Sequence, residues 1–541
     1  MNKKYILSSV AALVGLSLAT SCVDMDTEPE GSTVTSEQKA DVVAKDAEKA
    51  AAAVTAIFAN FTNYQPNYGY LGSQHNDFGY PSIMLLTDTE GEDMIVSDAG
   101  YNWFSYGLDF SSRVANSRAT YIVWSDLYSL IYTANAVSGV IDPATDNAES
   151  QFNLAQALGA RAFAYFQLVQ LYAFNYQIVD PATTPAVPII TDANASSAAS
   201  AGAPRASVAE VYDQIYADID ATVSLLTASQ AAGYKRADIR YIDLAVAYGL
   251  RARINLVKGN KTAAAADAQA AIDNTTATPK SLADATGPSF NDRNENDWMW
   301  GVLIEESDDV VSSGIVNWVS HIGTMNYGYG EFNSGYRISK KLYQSLSETD
   351  VRRTWFLDEN GENAALSDEL YQSLANYDIN VPYMNTKFAP YKYVPETEIN
   401  ANDIPLMRVE EMYYILAEAN GSQAILEDFV KTYRDPNYSL AMTGNSLPDE
   451  IWRQRRIEFW GEGMNWFDIM RLNKGIDRRN TAALSDKYIL NVPAGSNILL
   501  WPIPQPEIEA NVGISETDQN ACVTEAYSEY KVDEDESVTL F

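Results

Sequence analysis

Aromatic residues lie beside amide side chains in two stretches, residues 75–115 and 286–403, that lack helical periodicity. The candidates for a binding site are Tyr101, Asn102 and Trp103 in the first stretch and Trp298, Trp300, Trp318, Tyr327 and Tyr329 in the second. Flat apolar faces of sugar rings stack on Trp and Tyr, and sugar hydroxyl groups need hydrogen-bonding side chains such as Asn. The two stretches therefore predict a glycan-binding face of ordered loops, with Trp103 and Trp318 as preferred stacking residues. The alternative for any single ring is that it packs its loop onto the body of the protein.

Carboxylates form a second candidate for chemistry, in the cluster Asp88, Glu90, Glu92 and Asp93. An acidic glycosidase needs two carboxyl groups about 5 to 9 Å apart, one of them with a raised pKa. The same spacing could bind calcium, although the twelve-residue EF-hand loop is absent. Because the chain has 72 acidic residues, such clusters also arise by chance, and a solvated loop face is the preferred interpretation.

Other catalytic patterns are missing from the sequence. It contains no glycine-rich phosphate loop and no serine nucleophile elbow. His75 and His321 have no zinc-type neighbours, so we expect each to be a polar loop or packing residue. We therefore predict a binding protein without catalytic residues, metal or cofactor.

The N-terminus predicts export and lipidation. Lys3 and Lys4 precede an apolar run over residues 6–18, and small residues at 19–21 lead to Cys22. This pattern indicates a lipoprotein signal peptide over residues 1–21, with Cys22 as the acylated residue that anchors the protein to a membrane. The polar residues 22–35 are expected to form a flexible tether. The alternative is an ordinary signal peptide that ends near a cysteine.

The net charge makes two classes of partner unfavourable, and the cysteine content bears on disulfide bonds. The formal net charge is −35, so nucleic acid and anionic lipid surfaces are poor partners. If Cys22 carries lipid, Cys522 has no intramolecular partner, and a disulfide framework is excluded.

Helical periodicity dominates the elements that must hold the loops. Apolar residues recur at three- and four-residue steps over 152–172, 208–226 and 242–257, and Gly259-Asn260 separates the last stripe from an Ala-rich helix over 262–272. Helical pattern returns over 404–419 and 450–473. We predict a mainly α fold of paired, tetratricopeptide-like helices in one domain over 36–541, with helical scaffold at about 36–74, 116–285 and 404–475 and a C-terminal segment at 476–541.

Several segments of this scaffold carry a family resemblance. They are IPLMRVEEMYYILAEA at 404–419, EIWRQRRIEFWGEGMNWFDIMR at 450–471, PIPQPEIEAN at 502–511, and two upstream helical segments at 161–172 and 204–215. Together they resemble the SusD/RagB family of outer-membrane nutrient-binding lipoproteins. Gln454 and Asn465 depart from the usual Glu and Arg, which puts one ion pair in doubt. The charged residues of these motifs are expected to form scaffold ion pairs, namely Arg455, Arg456, Glu458, Asp468 and Arg471.

The resemblance implies a cell-surface lipoprotein of the outer membrane. The acidic residues after Cys22 agree with this location, because they resemble an export signal that sends lipoproteins to the cell surface. It implies capture of a polysaccharide or oligosaccharide and delivery to a SusC-like TonB-dependent transporter, on which the protein docks as a lid. A minority of the family captures peptides, which leaves peptide binding as the alternative, and an acidic glycoside hydrolase is a weaker one. The remaining tryptophans considered lie on scaffold motifs and are expected in the core: Trp124, Trp452, Trp460, Trp466 and Trp501.

Overall fold

A computed structural model of the chain describes residues 47–63, 75–97, 102–332 and 335–541. The predicted signal peptide, Cys22, the tether and Tyr101 lie outside the described residues. The helices before the second loop stretch are α1 to α8, in order Ala47–Ala59, Tyr80–Glu90, Arg118–Ser138, Ala148–Tyr172, Ala195–Ala201, Val208–Ala231, Leu244–Lys258 and Lys261–Asn274.

The second half of the chain has shorter helices and small antiparallel sheets. Helices α9 to α13 are Asp309–Ser312, Trp318–Ile322, Tyr329–Phe332, Lys340–Gln344 and Asp368–Asn376. Helices α14 to α19 are Val409–Asn420, Gln423–Tyr433, Leu440–Thr443, Leu447–Glu458, Asn465–Arg471 and Gln505–Ala510. Strands β1 to β6 are Met94–Ile95, Trp298–Val302, Arg337–Ile338, Ile404–Arg408, Ile476–Asp477 and Asn491–Val492, paired as β1 with β3, β2 with β4 and β5 with β6.

The paired helices α3 to α8 confirm the mainly α prediction. Helix α4 packs against α3 and α6, and α7 packs against α8. The Ser207 side chain and Glu210 form a reciprocal capping box at the start of α6, which satisfies backbone N–H groups that have no partner within the helix. Gly259 ends α7 with φ 86°, a left-handed conformation that glycine adopts without steric cost, and so produces the predicted turn before α8.

Three predicted secondary-structure assignments are wrong. Helix α2 lies inside the first predicted loop stretch, and all of its residues are buried, so no polar face reveals it in the sequence. Residues 404–408 form β4, because they pair with β2, which the second loop stretch contributes. The predicted helix over 450–473 is two helices separated by Gly461 and Gly463, whose φ angles are 77° and 70°.

One large hydrophobic core runs through the molecule and includes residues from Val54 to Ile514. The five tryptophans predicted in the core, Trp124, Trp452, Trp460, Trp466 and Trp501, are all buried, which confirms that prediction. Cys522 is a buried free thiol, and burial raises its pKa to about 12. None of the described helices is long and apolar enough to cross a membrane.

The ion pairs predicted for the scaffold are confirmed. Asp468 accepts hydrogen bonds of 2.7 Å from the Nε atoms of Arg455 and Arg471. Glu458 accepts from Arg434 and Arg408 within 3.0 Å. Gln454, where the family usually has Glu, accepts from Arg352 and donates to the Glu450 carboxylate at 2.8 Å, so the amide joins two charged groups in place of an ion pair.

The acidic segment 88–93 is buried, so its interpretation as a solvated loop face is wrong. Arg113 donates two hydrogen bonds of 2.7 Å to the Glu90 carboxylate. Arg456 donates to both Glu92 and Asp93, at 2.5 Å to Glu92 and 2.8 Å from its Nε to Asp93. Burial raises the pKa of Asp88 to about 8. Arg456 of α17 therefore holds the first loop stretch to the helical scaffold through Glu92 and Asp93, whereas the pair of Glu90 with Arg113 lies within the stretch itself.

Candidate functional site

A chain of aromatic rings leads from the core to the surface where the two loop stretches meet. The buried ring of His321 stacks on Tyr329, with centroids 4.6 Å apart and planes 17° apart. The Tyr329 ring lies 5.8 Å from His75, whose ring lies 5.2 Å from that of Trp103. His75, Trp103 and Tyr329 are each only partly buried. We call these three residues the inner ring group.

Polar contacts fix the inner ring group in place. His321 donates from Nε2 to the His75 carbonyl oxygen at 2.7 Å, and the Tyr329 hydroxyl is hydrogen-bonded to Nδ1 of His75. Burial lowers the pKa of His321 to about 3, so its ring is neutral near neutral pH. The Asn317 side chain caps α10 by accepting from the Ser320 N–H at 2.9 Å, which orients the helix that carries His321.

Three further rings form a second group, which we call the outer trio, namely Tyr327, Phe332 and Tyr377. Tyr327 is two residues before Tyr329 of the inner ring group. The Phe332 ring is 5.3 Å from Tyr327 and 5.0 Å from Tyr377, and both contacts are edge to face. Tyr327 is 38% exposed and Phe332 is 53% exposed. Tyr377 is half-buried and comes from the end of α13. The trio therefore presents ring faces and edges to solvent.

The glycines of the Met-Asn-Tyr-Gly-Tyr-Gly segment at 325–330 position both groups. A Cβ atom on Gly328 would lie 2.6 Å from the Ser320 backbone, and one on Gly330 would lie 2.1 Å from the Gly323 carbonyl oxygen. Only glycine permits this close approach of two backbones. Tyr327 donates its N–H to the Thr397 carbonyl at 3.0 Å, which ties the outer trio to the loop after α13.

A buried acid lies beneath the outer trio. The Glu331 side chain is 1% exposed, and its carboxylate raises the pKa of Tyr377. Burial, together with the negative charge of Glu396, raises the pKa of Glu331 to about 8. Glu331 therefore retains its proton near neutral pH, and its charge acts on Tyr377 only at higher pH.

The predicted site residues divide into four sets. Trp103 and Tyr329 both contact His75 where the two loop stretches meet, and Tyr327, two residues before Tyr329, belongs to the outer trio. Asn102 is buried and serves the loop itself, because it donates to the Ser97 carbonyl and accepts from the Phe104 N–H at 3.1 Å. Tyr101 lies outside the described residues, so its role stays a prediction.

The prediction that Trp298, Trp300 and Trp318 face a ligand is wrong for the described structure, because all three are buried. Trp298 and Trp300 belong to β2, in which every residue is buried, and the indole N–H of Trp300 donates to the Arg240 carbonyl at 2.9 Å. Trp318 begins the buried helix α10 and packs edge to face on Phe388 at 4.8 Å. These rings pack their loops onto the core, which is the alternative to ligand binding that the sequence leaves open.

His75, Phe332 and Tyr377 also belong to the two ring groups, although they are not among the binding residues predicted from the sequence. Phe332 follows Tyr327 by five residues in the same aperiodic segment, and this position is a sequence signal that could have identified it as a binding residue. His75 and Tyr377 are brought to the site by tertiary contacts alone, and His321 is the packing residue that the sequence predicted. Within the described residues, no group of three or more His, Cys, Asp or Glu side chains is arranged to hold a metal ion.

Comparison with known proteins gives matches along most of the chain. A family model described as "Starch-binding associating with outer membrane" matches residues 80–256, and one described as "SusD family" matches residues 287–521. SusD-like protein P2 of Formosa agariphila is 28% identical over 423 residues, which are 72% of this chain and 78% of that protein.

Solved structures share the fold. A SusD-like carbohydrate-binding protein of Bacteroides vulgatus has a TM-score of 0.69 at 21% identity, covering 88% of this chain and 98% of its own. Surface glycan-binding protein A of Bacteroides thetaiotaomicron, solved with laminarihexaose, has a TM-score of 0.58 at 16% identity, covering 87% and 99%. At these identities the likeness shows the fold, which agrees with the helical-pair scaffold and its loop insertions. The two family models together match well over half of the chain, and with the Formosa relative they show that the chain belongs to the SusD/RagB family.

Proposed function

We propose that this protein is a cell-surface lipoprotein that binds a polysaccharide or oligosaccharide and delivers it to a SusC-like TonB-dependent transporter. One observation carries the binding proposal, which is the set of rings at the meeting point of the two loop stretches. Trp103 and Tyr327 come from different stretches, and both reach the surface. The inner ring group combines His75 and Trp103 of the first stretch with Tyr329 of the second.

The arrangement of the rings suits carbohydrate. Edge-to-face contacts hold Tyr327 and Phe332 in fixed orientations, so little side-chain entropy is lost when a ligand stacks on them. The Tyr327 hydroxyl group adds a hydrogen-bonding group beside an apolar surface. Because the face is open to solvent, each ligand hydroxyl exchanges a water hydrogen bond for a protein one, and the affinity of a single site should be weak.

Relatives support the ligand class. One structural neighbour was solved with laminarihexaose, and another, with a TM-score of 0.54, is described as a laminarin-binding SusD-like protein. The predicted lipid anchor at Cys22 and the outer-membrane description of the family model support the surface location. Delivery to a transporter, in turn, is what membership of this family implies.

Binding is preferred over catalysis on structural grounds. The acidic cluster that could have served a glycosidase is buried in ion pairs with Arg113 and Arg456, so its carboxylates cannot reach a polymer. Peptide capture is the alternative within the family, and it becomes an outcome of the test.

The test is affinity electrophoresis of the purified protein through gels that contain plant, host and microbial polysaccharides, laminarin among them. We expect one polysaccharide to retard the protein, and we expect Trp103→Ala and Tyr327→Ala to reduce that retardation. Met442→Ala is the control, because Met442 is exposed on α16 and belongs to neither ring group. If no polysaccharide retards the protein and a peptide mixture binds instead, the glycan proposal is wrong.

A further inference from the structure

A second groove lies on the helical scaffold and shares no residue with the two ring groups. It has a volume of about 310 Å³ and is open to solvent. Helix α3 forms one wall with Trp124, Tyr128 and Tyr132, and Glu507 and Asn511 form the other. Nothing in the motifs or in the family matches assigns this groove a role.

Its aromatic wall is a stripe along one face of α3. The three rings occupy positions i, i+4 and i+8, which places them on the same side of the helix over about 12 Å. Trp124 is buried at the base, Tyr128 is half-buried, and Tyr132 is 77% exposed. The rings of Trp124 and Tyr128 are 4.7 Å apart with planes inclined by 34°. The stripe therefore runs from the buried Trp124 to Tyr132, whose ring is exposed to solvent.

The groove is rigid and polar on its other side. The Tyr128 hydroxyl donates to the Pro188 carbonyl at 2.8 Å, which fixes the middle ring. Asn511 donates to the Glu507 carboxylate at 2.8 Å and to the Ala203 carbonyl at 2.9 Å, so the facing wall is tied to the chain after α5. A carboxylate thus faces the aromatic stripe in a fixed position.

We infer that this groove is a second glycan-binding site, which takes a neutral segment of the polysaccharide bound at the ring groups. The inference rests on the proposed function. Stacking rings opposite a carboxylate match the apolar faces and hydroxyl groups of a sugar. The negative charge of Glu507, on a chain of net charge −35, disfavours an acidic polymer.

A protein partner fits the groove less well. A stable protein interface buries about 800 Å² on each side and has an apolar centre. The large exposed apolar side chains found here are Tyr132 and Val512, which follows Asn511. A narrow groove with one projecting ring is better matched to a linear polymer. Two sites on one molecule would also raise the apparent affinity for a long glycan through effective concentration.

The experiment separates the two sites with the full protein and two kinds of probe. The polysaccharide that retards the protein most is tested by affinity electrophoresis, and a panel of neutral hexasaccharides that includes laminarihexaose is tested by saturation-transfer NMR. The variants are Tyr132→Ala, Trp103→Ala and the double variant. Tyr132→Phe is the matched control, because it keeps the ring and removes only the hydroxyl group.

We expect Tyr132→Ala to weaken polysaccharide binding about three- to tenfold and Tyr132→Phe to leave it nearly unchanged. Trp103→Ala should keep a residual hexasaccharide signal that the double variant loses. If Tyr132→Ala changes neither measurement while Trp103→Ala does, the groove is not a glycan site and the proposed function stands. If the wild-type protein binds no saccharide, both proposals fail.

Discussion

Glu458 lies at the centre of the buried charge network, and its replacement by Gln tests the reasoning about the scaffold most directly. Its carboxylate accepts two hydrogen bonds of 2.8 Å from Arg434, one of 3.0 Å from Arg408 and one of 3.3 Å from Arg352. None of these four side chains is exposed. Burial alone would raise the pKa of Glu458, but Arg434 and Arg408 hold it well below its ordinary value.

The expected loss follows from what Glu458→Gln leaves behind. The amide keeps the shape of the side chain but removes the negative charge among three guanidinium groups. Breaking one buried ion pair typically costs about 3–5 kcal/mol, because the remaining charge is desolvated without compensation. Glu410 and Asp350 still neutralise part of the positive charge, at 3.0 Å from Arg434 and 2.7 Å from Arg352. We therefore expect a loss of about 3 kcal/mol in the free energy of unfolding.

The assay is urea unfolding followed by circular dichroism, with the midpoint and the m-value compared between variants. The matched control is Glu306→Gln, since Glu306 pairs with Lys392 at 2.8 Å but both side chains are more than half exposed. That variant should unfold at nearly the wild-type midpoint. If Glu458→Gln loses less than about 1 kcal/mol at an unchanged m-value, the network does not need this charge and the reasoning is refuted.

Three further outcomes are expected. The folded protein holds His321 neutral with a pKa of about 3, so stability should fall as pH drops from about 6.5 towards 3, by up to about 1.4 kcal/mol per pH unit. In urea midpoints measured against pH, His321→Gln should make this fall in stability at acidic pH less steep. Glu331 keeps its proton up to a pKa of about 8, so stability should fall as pH rises from about 4.5 to 8, and an identical pH profile for Glu331→Gln would contradict this. Cys22→Ala should move the protein from the membrane fraction to the soluble one, with glycan retardation unchanged, and a variant that still carries lipid would show that the anchor lies elsewhere.

Much of the scaffold could be predicted because its signals are local. The stripes that became α4, α6 and α7 need only the spacing of apolar residues, and the turn at Gly259 needs only a residue that tolerates positive φ. The ion pairs of the motif arginines and acids can be predicted as well, since charged groups in a helical scaffold need partners when they are buried.

Errors arose where burial is complete. Helix α2 shows no polar face, and β2 and β4 are identified only by their pairing with each other. Trp318 looks the same in sequence as Trp103, because both are aromatic residues in aperiodic segments. Only the packing of Phe388 against Trp318 shows that this ring belongs to the core.

The sequence by itself determined the helical class, the family resemblance, the lipidation motif as a prediction and the stretches in which a ligand face should form. Each of these depends on residue types at short spacings, which the chain carries with it into any fold. The tertiary structure decided which rings reach solvent, because the exposure of a ring depends on neighbours that are hundreds of residues away. It joined His75 to Tyr329, buried Glu92 and Asp93 against Arg456, and placed Glu507 opposite Tyr132.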